Sequence, residues 1–307
     1  MNVLITGGCG FVGVNLVIYL SQKGYRTRIL DDLSTARPDY VQVLRSAGSP
    51  EVIVGDIRDG DIMNRALEKM EAVVHLAACT SVIESVENPK RFWDINVSGT
   101  LNVLEACRLR GVDRFVFASS NAAVGEQIPP IDENMIPKPL SPYGASKLAG
   151  EALCSAYYHS FGMKAIALRF ANLYGPYSDH KTSVLAKFMG WAREDHPFTI
   201  YGDGNQTRDF VHVEDICQAI DLSLSSQDSS GDVFQIASGK ETSINRLVEI
   251  VREVTDKRSE VIHQPERKGE IRRNYSDISK ARRVLGFEPR MELKEGLRKL
   301  WSACTQR

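Results

Sequence analysis

The sequence predicts an α/β fold, a doubly wound parallel sheet followed by a smaller α/β C-terminal domain. Three observations carry that reading. Short apolar runs alternate with stretches of helical apolar spacing from the first residues to about Asn172. Strands connected in this way lie parallel and need helices over both faces. The first apolar run ends in glycines that open directly into the first helical stretch.

The elements follow in order. Val3-Leu4-Ile5 is short, apolar and ends at glycines, so it reads as a buried strand. Residues 12–23 have helical spacing and stop at Gly24, a natural C-terminal cap. Residues 27–30, 51–54 and 72–76 read as the second, third and fourth strands. A helix over 97–109 closes at Gly111, the fifth strand covers 114–118, a long helix covers 143–161, and the sixth strand covers 165–170. Past Asn172 the elements shorten, with turns at Gly202-Asp203-Gly204 and Ser229-Ser230-Gly231 and a basic stretch over 267–273. The expected division is therefore 1–172 and 173–307, with part of 208–240 returning to the first sheet. There is no internal repeat and no low-complexity segment.

Composition narrows the function. The chain has 307 residues, 43% hydrophobic and 25% charged, with a net charge of −1 and its Lys and Arg dispersed. That balance argues against a nucleic-acid or membrane-surface partner. Six cysteines, Cys9, Cys79, Cys107, Cys154, Cys217 and Cys304, lie far apart without a CxxC pair. They read as reduced, mostly buried thiols of a cytoplasmic protein, not as a metal site or a disulfide framework. No apolar run reaches the ~18 residues of a membrane span. With the first strand beginning at Asn2, no leader is expected before it.

Gly7, Gly10 and Gly13 stand three apart between the first strand and the first helix. At that place one glycine allows a tight turn, the next lets backbone approach a pyrophosphate, and the third lets helix and strand pack closely. The helix N-terminus then offers N–H groups and partial positive charge to phosphate oxygens. Asp31 ends the second strand 18 residues after Gly13, where a carboxylate can grip the adenosine ribose. Asp31-Asp32 would repel a 2′-phosphate, which favours NAD over NADP. Asp56-Ile57 follows the third strand and either reaches the adenine or forms a plain turn.

The segments SSNAAVG and SPYGASK carry the chemistry. Tyr143 and Lys147 are four apart on one predicted helix and so share a face. A phenol with a pKa of about 10 is a poor base near neutrality. An ammonium beside it favours the phenolate, as does a positively charged nicotinamide ring. Ser120 lies just past the fifth strand, at the carboxyl edge where ligands bind in such sheets. Its hydroxyl is placed to hold a substrate oxygen beside Tyr143.

With these residues the chain resembles the extended short-chain dehydrogenase/reductase family, in its NAD-dependent nucleotide-sugar epimerase/dehydratase branch, and within it the UDP-glucose 4-epimerases most. The resemblance runs nearly end to end through TGGCGFVG, DDLST, GDIRD, HLAA, NVSGTLNVLEA, SSNAAVG, YGASK, LRFANLYGP, YGDGNQTRDFVHVED and RKGE followed by YSD. It implies a Rossmann domain holding NAD, a C-terminal domain binding a UDP-sugar, and a homodimer formed by packing helices 97–109 and 143–161 of each subunit. It implies that Gly7, Gly10, Phe11 and Val12 form the pyrophosphate turn, that Asp31 holds the ribose, and that Asp56 and Ile57 flank the adenine. Leu76, Ala77 and Ala78 would line the cofactor, with Asn96 and Lys147 also touching it. Ser120, Tyr143 and Lys147 would be catalytic. Asn172, Arg208 and Arg267 match positions binding the nucleotide diphosphate, and Tyr201 matches an aromatic near the uracil. Arginine forks suit diphosphate oxygens and an aromatic face suits a flat base. In isolation the arginines would read as solvated surface charges and Tyr201 as core.

The chain also departs from its relatives. Val124 stands where many have a tyrosine, and Thr80 stands where galactose-type bacterial epimerases carry a lysine. The loop Asp179-His180-Lys181-Thr182-Ser183 is its own. Asn274 occupies a position where a bulky tyrosine can exclude N-acetylated sugars, leaving room for a 2-acetamido group. His180 and Lys181 could instead meet a sugar carboxylate. The expected activity is thus C4 epimerisation of a UDP-hexose: UDP-glucose and UDP-galactose, with UDP-GlcNAc and UDP-glucuronate as further candidates. A 4,6-dehydratase is the alternative, but its acid pair is missing where Asn121-Ala122 follow Ser120. A UDP-glucuronate decarboxylase also lacks its acidic residue beside that serine. A non-catalytic NAD sensor fits poorly with a chain that keeps both Tyr143 and Lys147.

Overall fold

In a computed structural model, which describes residues 1–48, 50–179, 181–226, 230–266 and 271–305, the apolar runs become neighbouring parallel strands. They are β1 (Asn2–Thr6), β2 (Arg26–Asp31), β3 (Glu51–Val54), β4 (Ala72–His75), β5 (Arg114–Ser120) and β6 (Lys164–Phe170). Seven further strands follow: β7 (Asn172–Tyr174), β8 (Phe198–Tyr201), β9 (Thr207–Arg208), β10 (Phe210–His212), β11 (Val233–Ile236), β12 (Thr242–Ser243) and β13 (Val261–Gln264). The main sheet runs β11-β6-β5-β4-β1-β2-β3, every neighbouring pair parallel.

Alternation along β1 shows why both faces are covered. Val3 and Ile5 enter one apolar layer, with Val14 and Val17 of helix Phe11–Gln22 and Ile216 and Ile220 of helix Val213–Ser225. Leu4 enters the other, with Val103 and Leu104 of helix Gly99–Arg110 and Cys154 of helix Pro142–Phe161. Because β1 pairs with β2 on one side and β4 on the other, the strand order reverses at β1. Thr6 is in register with both Leu30 and His75, so three strand ends lie side by side at that crevice.

The rest of the chain builds a third apolar cluster around Phe188, Phe198, Leu247 and Leu297. Helices Val184–Arg193, Ile244–Thr255 and Leu293–Thr305 supply it together with β8. β8 pairs with β13, β9 with β12, and β7 with β10. β11 returns to the main sheet beside β6.

Some boundaries differ from the pattern reading. The fourth strand stops at His75, and the helix expected over 97–109 starts as a π-helical turn, Asp94–Ser98, that continues as Gly99–Arg110. The wider turn coincides with a demand on Asn96, whose amide bonds the backbone of Cys79 and the side chain of Ser146. Cys9, Cys79, Cys107, Cys154 and Cys217 are free thiols, four of them buried. Ser229 of the expected turn and residues 267–270 of the basic stretch lie outside the described residues. No helix among the described residues is long and apolar enough to cross a membrane.

Candidate active site

β1 leads through Gly7, at φ +69°, into helix Phe11–Gln22. A Cβ on Gly7 would stand 2.7 Å from the Ala77 nitrogen, and one on Gly13 would stand 2.5 Å from the Gly8 Cα. Both contacts are with backbone, so neither position admits a side chain without moving the chain. At Gly10 a Cβ would stand 3.4 Å from the Gly7 carbonyl oxygen, in contact with the turn itself. Gly10 is also the N-cap, and among the described residues no side chain caps the helix start, so the N–H groups at Phe11 and Val12 are left open.

Asp31, 8% exposed, closes the crevice from β2. Its carboxylate accepts the N–H groups of Cys9 and Leu33, each at 2.9 Å. Burial raises its pKa, the two N–H donors draw it back, and neighbouring Asp32 adds to the rise. Opposite the turn, the Leu76 N–H donates to the Thr6 carbonyl at 3.0 Å, and Ala77 and Ala78 follow half-buried. Asp56 is held by Arg58 at 2.6 Å, and that hydrogen bond keeps its carboxyl below the usual range. Ile57 belongs to the core, and its carbonyl accepts from Asn102 at 2.6 Å. An uncapped helix start, a glycine turn with no room for side chains at Gly7 and Gly13, and a buried carboxylate at the next strand end fit a dinucleotide.

Across the crevice, Ser141 caps helix Pro142–Phe161 by accepting the Gly144 N–H at 3.1 Å. Tyr143 and Lys147 then fall one turn apart on the buried face, 9% and 4% exposed. The Lys147 ammonium donates to the Ala118 carbonyl at 2.8 Å and lies 5.0 Å from the centre of the Phe117 ring. Burial pulls its pKa down to about 8, against the opposing pull of Glu151 and Cys79. Burial pushes the Tyr143 phenol up, and the Ser120 hydroxyl beside it draws it back. Ser120 ends β5, where its Oγ accepts the Ala122 N–H at 3.2 Å. The fold therefore brings Ser120, Tyr143 and Lys147 together at the carboxyl edge of the sheet.

Asn96, expected as a cofactor contact, also braces the surrounding backbone, while Ser146 and Glu151 escape a reading of motifs alone. Asn96, 2% exposed, accepts the Cys79 N–H at 2.8 Å and donates to the Cys79 carbonyl and Ser146 Oγ, each at 2.9 Å. Ser146 in turn donates to the Tyr143 carbonyl at 2.7 Å. Glu151, 4% exposed, takes the Ser119 hydroxyl at 2.5 Å and both arms of the Arg169 fork at 2.8 and 2.7 Å. The signal for Glu151 was an acid four residues beyond Lys147, on the same helical face.

Three expected substrate residues, Asn172, Tyr201 and Arg208, line one cavity of about 230 Å³ beside Thr182, Phe188 and Trp191. The Asn172 amide donates to the Asp209 carbonyl at 3.2 Å, and Arg208 donates to the Thr207 and Ile271 carbonyls, each at 2.8 Å. An aromatic wall with an arginine at its margin suits a flat base carrying phosphates. The Asn274 N–H donates to Thr207 Oγ1 at 3.4 Å, and its buried Oδ1 has no partner among the described residues. Arg267 and His180 lie outside the described residues.

The model of the NAD dependent epimerase/dehydratase family matches residues 3–237. A putative UDP-glucose 4-epimerase of Methanocaldococcus jannaschii is 40% identical over 303 residues, 97% of this chain and 96% of that protein. The crystal structure of the Thermotoga maritima UDP-glucose 4-epimerase with UDP-glucose superposes with a TM-score of 0.93 at 34% identity, covering 100% of both chains. The UDP-N-acetylglucosamine 4-epimerase of Methanobrevibacter ruminantium, in complex with UDP-N-acetylmuramic acid, gives 0.92 at 32% identity, covering 99% of this chain and 98% of that one.

Proposed function

The chain belongs to the NAD dependent epimerase/dehydratase family, and from that premise we propose that it inverts C4 of a UDP-hexose through a 4-keto intermediate. The observation that carries the proposal is the convergence of Ser120, Tyr143 and Lys147 at the sheet edge, facing the uncapped dinucleotide turn. NAD, when bound, supplies the acceptor and donor of the C4 hydride. Gly7, Gly10, Phe11 and Val12 hold its pyrophosphate, Asp31 its ribose, and Leu76, Ala77 and Ala78 border it. Asp56 and Ile57 stand toward the adenine.

The remaining work falls to side chains of this protein. Ser120 hydrogen-bonds the sugar 4-oxygen. The Tyr143 phenolate takes the 4-hydroxyl proton on the outward step and returns it on the way back. A buried phenol resists ionisation, and in this reading the protonated Lys147 one turn along the same helix, together with the positive nicotinamide ring of bound NAD, favours the phenolate. Asn172, Tyr201 and Arg208, with Arg267 as a fourth contact, anchor the UDP while the keto ring turns over and presents its other face. Such a reaction needs tight binding of the unreactive nucleotide and loose binding of the ring.

Dehydration is disfavoured by the residue after Ser120. Asn121 is 8% exposed and its amide turns away to Ser276 Oγ at 3.0 Å, so that position offers no acid to the cleft. Tyr143→Phe is expected to lower turnover by about 10²–10⁴-fold while UDP binding, measured by titration calorimetry, stays within about threefold. Normal turnover by that variant would remove Tyr143 from the proton-transfer role.

A further inference from the structure

Residues 175–179 and 181–183 lie between β7 and helix Val184–Arg193 and touch both halves of the cleft. The segment leaves β7 and enters helix Val184–Arg193, and its last residues, Thr182 and Ser183, line the nucleotide cavity. Its first residues are tied to the dinucleotide half. The Pro176 carbonyl accepts from Asn15 at 3.0 Å, the Tyr177 carbonyl accepts from the Tyr40 hydroxyl at 2.5 Å, and Asp179 pairs with Arg37 at 3.6 Å. Asn15 belongs to the helix that begins at Phe11.

Lys181 stands between those ties and the cavity. Its ammonium lies 4.7 Å from the centre of the Phe11 ring, and Phe11 is the first residue of the uncapped helix. Burial lowers its pKa, and among the described residues no neighbouring charge opposes the shift. Asp179, the nearest acid in sequence, is engaged with Arg37, and among the described residues the Lys181 ammonium has no carboxylate partner. A ring face compensates a desolvated cation only in part. An oxyanion would complete the pairing of this ammonium, and the position adjoins the uncapped helix start at Phe11.

We propose that Lys181 reaches from the substrate half to the pyrophosphate of the bound cofactor, so that one segment both contacts NAD and walls the nucleotide cavity. The inference rests on the glycine turn being the cofactor site. The oxyanion could instead be a substrate carboxylate, and the experiment separates the two sources.

Full-length wild type, Lys181→Met, Lys181→Arg and Asp31→Ala are titrated with NAD and, separately, with UDP-glucuronate by calorimetry. Lys181→Met is expected to weaken NAD binding about tenfold or more, with a shallower salt dependence, as the loss of a charge-assisted contact requires. Lys181→Arg keeps the charge and the ring contact and is expected to recover most of the affinity. Unchanged NAD affinity in Lys181→Met, with or without a loss confined to UDP-glucuronate, overturns the proposal. If Asp31→Ala weakens NAD binding in that case, the turn stands and only the role of Lys181 falls. If neither variant weakens it, the cofactor site itself is misassigned.

Discussion

Tyr143 and Lys147 are both buried, and burial works against the charged form of each. The phenol is pushed up and the ammonium is pulled down, to about 8 for Lys147. The pair is useful only while the lysine keeps its proton, because only then does it favour the phenolate. The kcat/KM profile is therefore expected to descend as pH passes through about 8 and Lys147 loses the proton that favours the phenolate. Lys147→Arg keeps its proton throughout, so whatever activity it retains should lack that descending limb. A limb at the same pH in both proteins would exclude Lys147 as its source. The two residues were legible in the sequence because their spacing along one helix is fixed. Glu151 was less so. Its partners Ser119 and Arg169 are brought to it by β5 and β6, and nothing in the local pattern names them.

Among the elements, the strand–turn–helix at the N-terminus does most to position the site. Gly13 is where the helix meets the turn behind it, and an added Cβ would meet the backbone of Gly8 at 2.5 Å. Gly13→Ala is expected to cost about 1–3 kcal/mol in urea unfolding and to weaken NAD binding at least tenfold. Gly60→Ala, where a Cβ meets nothing within 4 Å, should change neither. The central strands and long helices were readable because apolar periodicity writes them directly. Helices Val82–Glu87 and Pro89–Trp93 were not, being too short to show a period and leaving Val82, Ile83 and Val86 exposed. The π-helical turn Asp94–Ser98 was equally hidden, since the bonds of Asn96 to Cys79 and Ser146 reach elements distant in sequence.

On the scale of the whole molecule, helices Gly99–Arg110 and Pro142–Phe161 pack against each other and still expose large apolar side chains. Leu101 is 43% exposed, Leu109 68% and Phe161 55%. We propose that this face pairs two copies of the chain. Leu109→Asp combined with Phe161→Asp is expected to give a monomer by light scattering where the parent has twice the chain mass, with unfolding little changed. A parent that is already monomeric would refute the pairing. The same helix carries Tyr143 and Lys147 on its buried side, so the site and the proposed interface share one element without sharing a surface. We propose that the sugar is bordered by Asn274, whose buried Oδ1 has no partner among the described residues. Replacing it by tyrosine is expected to select against an N-acetylated substrate while sparing UDP-glucose.

The central claim is that C4 loses a hydride and regains the same one while Tyr143 moves only a proton. The direct measurement is proton NMR of UDP-glucose, UDP-GlcNAc and UDP-glucuronate, each incubated with the NAD-loaded protein in heavy water. The account predicts the C4 epimer of at least one of them, with protium retained at C4. Deuterium at C4 in the epimer, or no epimer from any of the three, would contradict it.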